Sequence, residues 1–154
     1  MNRAQYVDLV EREYFGNVTS GDVDACTRCF TSQAVIDILH GDLPRRQFKA
    51  APGAGEIHLS EFWKHLCANF LGTFSHFSHV IDTDAHCCAS TFTVALVPKP
   101  ASPYFARGVL TLYNCNFFWL ENDRIARMTV YYANPDTGGS APDKPTGYPP
   151  RSAS

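Results

Sequence analysis

Apolar residues from Arg3 to Asn17 recur at helical spacing. Tyr6, Leu9, Val10, Tyr14 and then Val18 share one side, while Asp8, Glu11 and Arg12 take the other. This pattern predicts an opening helix. Ser20-Gly21-Asp22 reads as a turn followed by a cap, because Ser and Asp side chains can take the free amides of a new helix. A short second helix, Val23 to Phe30, presents Cys26, Cys29 and Phe30 as its apolar side. From Ala34 to His40 the period falls to two, which predicts a strand. Ile36, Ile38 and His40 lie on one face and Val35, Asp37 and Leu39 on the other. Ile57 to Leu71 returns to helical spacing, with Ile57, Phe62, Trp63, Leu66 and Phe70 as a broad apolar stripe.

Beyond that helix the pattern is that of strands. Phe77 to Asp82, Cys87 to Val97, Gly108 to Leu120 and Ile125 to Ala133 are expected in succession. Their turns are short enough to favour an antiparallel meander. Gly41 to Gly55 reads as a loop by its Pro and Gly content, long enough to cover a site. The expected domain spans residues 1 to 134, and the Pro- and Gly-rich stretch 135 to 154 is expected to be a tail without a core. Helix, helix, strand, helix and four strands predict an α+β fold. A cone-shaped, strongly curved antiparallel sheet, with three helices from the N-terminal half on its concave side, buries every apolar stripe. Whatever space the helices leave becomes an apolar pocket.

Composition supports a globular chain, with 45% apolar and 18% charged residues, and 11 Phe to fill a core or line a pocket. A net charge of −2 supplies no basic face for nucleic acid, and Arg45-Arg46 with Lys49 is too short a cluster to hold a phosphate backbone. No apolar run approaches a membrane span, and the first residues lack a signal-peptide core, so a cytoplasmic protein is expected. The six cysteines are expected as reduced, packed thiols. His58, His65, His76 and His86 have no partners at ligand spacing, so neither a metal nor another cofactor is expected.

Tyr14-Phe15, Gly21-Asp22-Val23-Asp24, Phe30, Ala34-Val35, Gly55, Phe62-Trp63 and the closing Leu120-Glu121-Asn122-Asp123-Arg124-Ile125 follow one another in an informative order. From residue 4 to residue 134 the chain resembles the SnoaL-like polyketide cyclases and ketosteroid isomerases of the nuclear transport factor 2-like superfamily. The resemblance implies the cone-shaped fold. It puts Tyr14 where the isomerases carry an oxyanion-binding tyrosine, and Asn116 near their second oxyanion donor. Ile38 stands where their base aspartate does, which argues against the same proton shuttle. His79 and Asn114 resemble a histidine and an asparagine of scytalone dehydratase, whose tyrosine–aspartate pair is replaced here by Val18 and Thr19.

These residues make a coherent set. An imidazole titrates near neutral pH, so His79 and then His40 are candidates to move a proton. Asn114 and Asn116 are two apart and share a face with Leu110, Leu112, Phe118 and Leu120. Two amides on an apolar face suit a pocket wall better than a core, although a slip of one residue would turn Tyr113, Cys115, Phe117 and Trp119 inward instead. The expected site is catalytic His79, His40, Tyr14, Asn114 and Asn116, with Ile38, Phe62, Leu66, Phe118, Met128, Tyr132 and Asn134 around the substrate. The expected activity is a cofactor-independent isomerase, cyclase or dehydratase (a lyase) in the biosynthesis of an apolar, oxygenated molecule such as a polyketide or terpenoid. The alternative is a binding or assembly module of the same fold. The outward face, with Val109, Thr111, Tyr113, Phe117 and Trp119, is expected to make a homodimer.

Overall fold

The computed structural model describes residues 1–40 and 44–132; the expected tail and Asn134 lie outside the described residues. The opening helix is one rod in three parts. An α-helical turn, Arg3–Val7, leads into a π-helical stretch, Asp8–Phe15, and a last α-helical turn, Gly16–Ser20. Asn2 and Gln5 cap its start reciprocally, each side chain bonding the other's backbone amide. Gly21 ends it at φ 77, a left-handed conformation that a side chain would strain. Asp22 then caps the second helix, Val23–Arg28, by accepting from the Ala25 amide at 2.8 Å.

The wide π-helical winding changes which side chains point inward. Tyr14 and Phe15 are neighbours in sequence, yet both are buried, with ring centroids 4.7 Å apart. The helical stripe in the sequence predicts only Tyr14. Phe30 does not end the second helix but starts strand β1, Phe30–Leu39. The third helix is Ser60–Asn69, shorter than its stripe suggests. Ile57 precedes it, half exposed, and Phe70 begins the long strand β3, Phe70–Asp82.

Strands β4 (Cys87–Pro98), β5 (Leu110–Glu121) and β6 (Arg124–Tyr132) follow β3 as the expected antiparallel meander. Asn122 and Asp123, at φ 50 and 59, make the two-residue turn between β5 and β6, the geometry that matches strand twist. The pairing β1–β6 is parallel, the one parallel pair among the described strands of an otherwise antiparallel sheet. A bulge between Ser75 and Ser78, with His76 at φ 54, interrupts β3. The curved sheet, ordered β2 (Arg46–Lys49)-β1-β6-β5-β4-β3, wraps the three helices.

Strand β2, Arg46–Lys49, was not expected; it falls inside the stretch read as loop. Its pairing with β1 places Gln47 opposite Asp37. The Asp37 carboxylate is almost wholly buried and accepts from Gln47 at 2.9 Å and from Arg127 of β6 at 2.8 and 3.1 Å. Arg45 approaches the same group at 3.6 Å. Arg127 also lies over the Trp119 ring of β5, 5.6 Å from its centroid. One acidic side chain thus ties β2, β1 and β6 together on the outer face. Asp37 faces away from the helices, as alternation requires, and its oxygens are occupied by these partners.

Candidate functional site

Between the helices and the concave face lies a cavity of ≈ 40 Å³. The sheet contributes Val94, Leu96, Leu112 and Val130, β3 gives Phe74, and the helices give Val18, Phe62 and Leu66. Its polar lining is Tyr14, Tyr132, Asn114 and Asn116. This volume has room for a few water molecules. Phe62 and Leu66, both only half buried, line it from the third helix.

The register that sends the asparagines inward is the one observed. Asn114 and Asn116 are 8% and 3% exposed, whereas Tyr113 and Phe117 are 61% and 38% exposed. The structure also alters what these amides offer. Asn116 Nδ2 donates to Met128 Sδ at 3.6 Å, and the carbonyl oxygens of Asn114 and Asn116 are buried without a hydrogen-bond partner. One of the two Asn116 amide protons is thus taken by Met128, which leaves the other for the expected role as a donor to a carbonyl or enolate oxygen.

Tyr14 is held from three sides. Trp63 Nε1 donates to its oxygen at 3.2 Å, and the rings of Phe30 and Phe118 meet it edge-on at 5.6 and 6.0 Å. Its own proton remains to be donated. Burial pushes the Tyr14 phenol well above its ordinary pKa, only partly offset by the Trp63 bond, and burial raises Tyr132 as well. Both stay protonated donors at neutral pH.

The remaining expected site residues divide by position. Ile38, Phe118 and Met128 are buried core behind the lining and are not among the cavity's lining side chains. His40 is buried beside the cavity wall, its ring 5.3 Å from that of Tyr132, but it does not itself line the cavity. His79 does not line the cavity either. It stands on β3, well past the end of the third helix, opposite Ser90 of β4. Its Nε2 bonds Glu11 Oε1 and its Nδ1 bonds Ser90 Oγ, both at 2.8 Å, and its ring stacks on Phe77 at 5.9 Å. His79 is not a lining residue, but Ser90, to which it is bonded, pairs directly with Asn116 of β5. Sequence reasoning missed Glu11 by placing it on the wet side, and missed Ser90 altogether. Glu11 is 68 residues from His79, so no local spacing signals that contact, whereas Ser90 meets it directly across the β3–β4 hairpin.

A second concavity, of ≈ 420 Å³ and more open, lies on the outer face. His76, Thr91, Phe92, Thr93, Tyr113, Cys115 and Tyr131 line it, while Asn114 and Tyr132 border both spaces. The inner cavity is the better ligand site because its polar groups are few, buried and convergent, despite the smaller volume. Among the described residues no group of three or more His, Cys, Asp or Glu side chains is gathered to hold a metal ion. No described helix is long and apolar enough to cross a membrane. The six cysteines are unpaired, and burial raises Cys26 to about 12 and Cys29 to about 11.

No family model matches the sequence. No curated protein matches it either. Solved structures do match in fold. SalBIII, an epoxide hydrolase/cyclase-like enzyme with a role in pyran ring formation in the polyether salinomycin, is 22% identical. It superposes with a TM-score of 0.64 over 86% of this chain and 94% of its own. A candidate polyketide cyclase from Pseudomonas putida is 20% identical, with a TM-score of 0.66 over 88% and 96% of the two chains. The BvnE pinacolase from Penicillium brevicompactum is 12% identical, with a TM-score of 0.67 over 85% and 87%. Taken with the curved sheet, the three enclosed helices and the cavity between them, these likenesses identify the fold as nuclear transport factor 2-like, the fold of SnoaL-like polyketide cyclases.

Proposed function

We propose that this protein is a cofactor-independent enzyme of the isomerase or cyclase kind, dehydration included. Its substrate is an apolar, oxygenated small molecule of polyketide or terpenoid type, transformed by general acid/base chemistry in the cytoplasm. The observation that carries this reading is the cavity itself. A few buried polar groups, the two phenols and two amides, converge in an otherwise apolar lining. Such a site excludes water and aims fixed dipoles at a reacting oxygen. The fold's occurrence in enzymes described as polyketide cyclase, epoxide hydrolase/cyclase-like and pinacolase supports the same kind of chemistry. Unpaired thiols suit a reducing compartment.

Tyr14 donates to a substrate oxygen, and His40, behind the lining and packed against Tyr132, exchanges the proton with the cavity through that tyrosine. Native mass spectrometry of the protein after incubation with an extract of its source organism tests this. A retained compound released with a changed structure is the expected result, and His40→Ala should abolish the change while the compound is still retained. A second reading, a binding module without chemistry, draws on one observation: the described lining holds no carboxylate and no imidazole. A compound released unchanged by the wild type establishes that reading instead.

The same proposal extends to assembly. Outward-facing Tyr113, Phe117, Trp119 and Tyr131 are 61%, 38%, 37% and 44% exposed. The Phe117 ring lies against those of Trp119 and Tyr131, at 6.0 and 5.8 Å. A contiguous aromatic surface of this kind suits a second copy of the chain. Light scattering at micromolar concentration should show a dimer, and Phe117→Glu with Trp119→Glu should make it a monomer. A monomeric wild type refutes the assembly.

A further inference from the structure

Each polar group of the cavity lining can be followed to what it still lacks. The Tyr14 oxygen already accepts from Trp63 Nε1 at 3.2 Å, so what the phenol has left to give is its own proton. Asn116 has given one amide proton to Met128 Sδ. That contact also fixes which end of the amide faces which way, because a carbonyl oxygen turned toward the sulfur would set two acceptors against each other. The carbonyl oxygens of Asn114 and Asn116 accept from no protein group, and both are buried. Among the described side chains these are the buried polar atoms without a partner.

An acceptor left empty in a buried site costs free energy unless something comes to fill it. A ketone or enolate oxygen brings lone pairs alone. It satisfies the phenol proton but leaves both amide oxygens empty, and any close approach to them is repulsive. A hydroxyl brings both halves, a lone pair for the phenol and a proton for an amide oxygen. Asn114 and Asn116 lie on the same strand face, about 7 Å apart along it, so each can take a proton from a different hydroxyl.

We propose that the cavity selects a hydroxyl-bearing ligand, an alcohol or polyol, whose O–H groups donate to the carbonyl oxygens of Asn114 and Asn116. This rests on the cavity being the ligand site and deepens that reading by naming the group that is recognised. The two asparagines are specificity-determining residues here: they discriminate the protonated, donating form of a substrate oxygen from its ketone.

A matched trio of bicyclic probes, 1-tetralol, 1-tetralone and tetralin, tests the assignment by NMR titration of the full chain. The alcohol should bind ten- to a hundredfold more tightly than the ketone, and its binding should shift the side-chain amide signals of Asn114 and Asn116. In the Asn114→Leu/Asn116→Leu variant the preference should disappear while tetralin gains. Single Asn116→Leu should lose part of it. Equal or tighter binding of the ketone by the wild type overturns the proposal and leaves the cavity standing as a ligand site. Failure of all three probes to bind overturns the cavity reading and this proposal together.

Discussion

The concave interior holds two clusters of polar side chains that are close in sheet register but opposite in state. Ser90 of β4 pairs directly with Asn116 of β5. On the Ser90 side, Glu11, His79 and Ser90 form a continuous chain of hydrogen bonds, with the Cys88 thiol 3.4 Å from Ser90. On the Asn116 side, two amide oxygens stand without partners. Ser90, the His79 side chain and both asparagines are buried, so both clusters were costly to desolvate, but only the first has recovered that cost internally. A completed network fixes the packing of the first helix on β3 and β4. An incomplete one at a cavity wall is where a ligand gains most by arriving. Burial of polar residues therefore does not by itself mark a functional site; the state of their hydrogen bonds separates the two cases.

The sharpest way to break this contrast is to remove the imidazole at its centre. His79→Ala strips Ser90 of one partner, removes the ring stacked on Phe77, and frees Glu11, which is half exposed and can return to water. The expected loss is about 2–3 kcal/mol of stability, measured by chemical denaturation, with retention of cavity ligands unchanged. A variant that keeps wild-type stability and loses turnover would reverse the assignment. It would make His79 the proton-moving residue anticipated from its resemblance to the dehydratase histidine.

Much of this architecture was legible in the residue pattern, and the exceptions share a cause. The meander from β3 to β6 is written in alternation, and alternation also chose the side of β5 on which Asn114 and Asn116 lie. Strand β2 was illegible because its four residues sit in a stretch rich in Pro and Gly. They become a strand through Asp37, whose partners Gln47 and Arg127 come from different elements. Phe15 was missed because a π-helical winding does not keep the usual helical period. For the site, the residue types were readable but their partners were not. Glu11 and His79 are 68 residues apart, and Trp63 reaches Tyr14 across 49. The direction of the Asn116 amide was hidden as well, because Met128 sets it from the neighbouring strand.

Tyr14 sharpens the contrast from inside the cavity, with a smaller effect. Its oxygen is satisfied by Trp63, so Tyr14→Phe should cost about 1 kcal/mol near neutral pH, the net worth of one buried hydrogen bond. The pH dependence carries more information. Burial raises the phenol in the folded protein well above its unfolded value near 10. The stability it supports is therefore complete below pH 10 and is lost as pH rises from there through the folded value, at about 1.4 kcal/mol per pH unit. The phenylalanine variant lacks this term, while Tyr132 and the buried thiols contribute equally to both proteins and cancel in the difference. The advantage of the wild type, read from denaturation at a series of pH values, should therefore shrink steadily above pH 10. A difference that stays constant to pH 11 would mean that water reaches the phenol. In that case the unpaired oxygens of Asn114 and Asn116 would be solvated too, and the contrast with the Glu11–His79–Ser90 chain would be one of hydration rather than of vacancy.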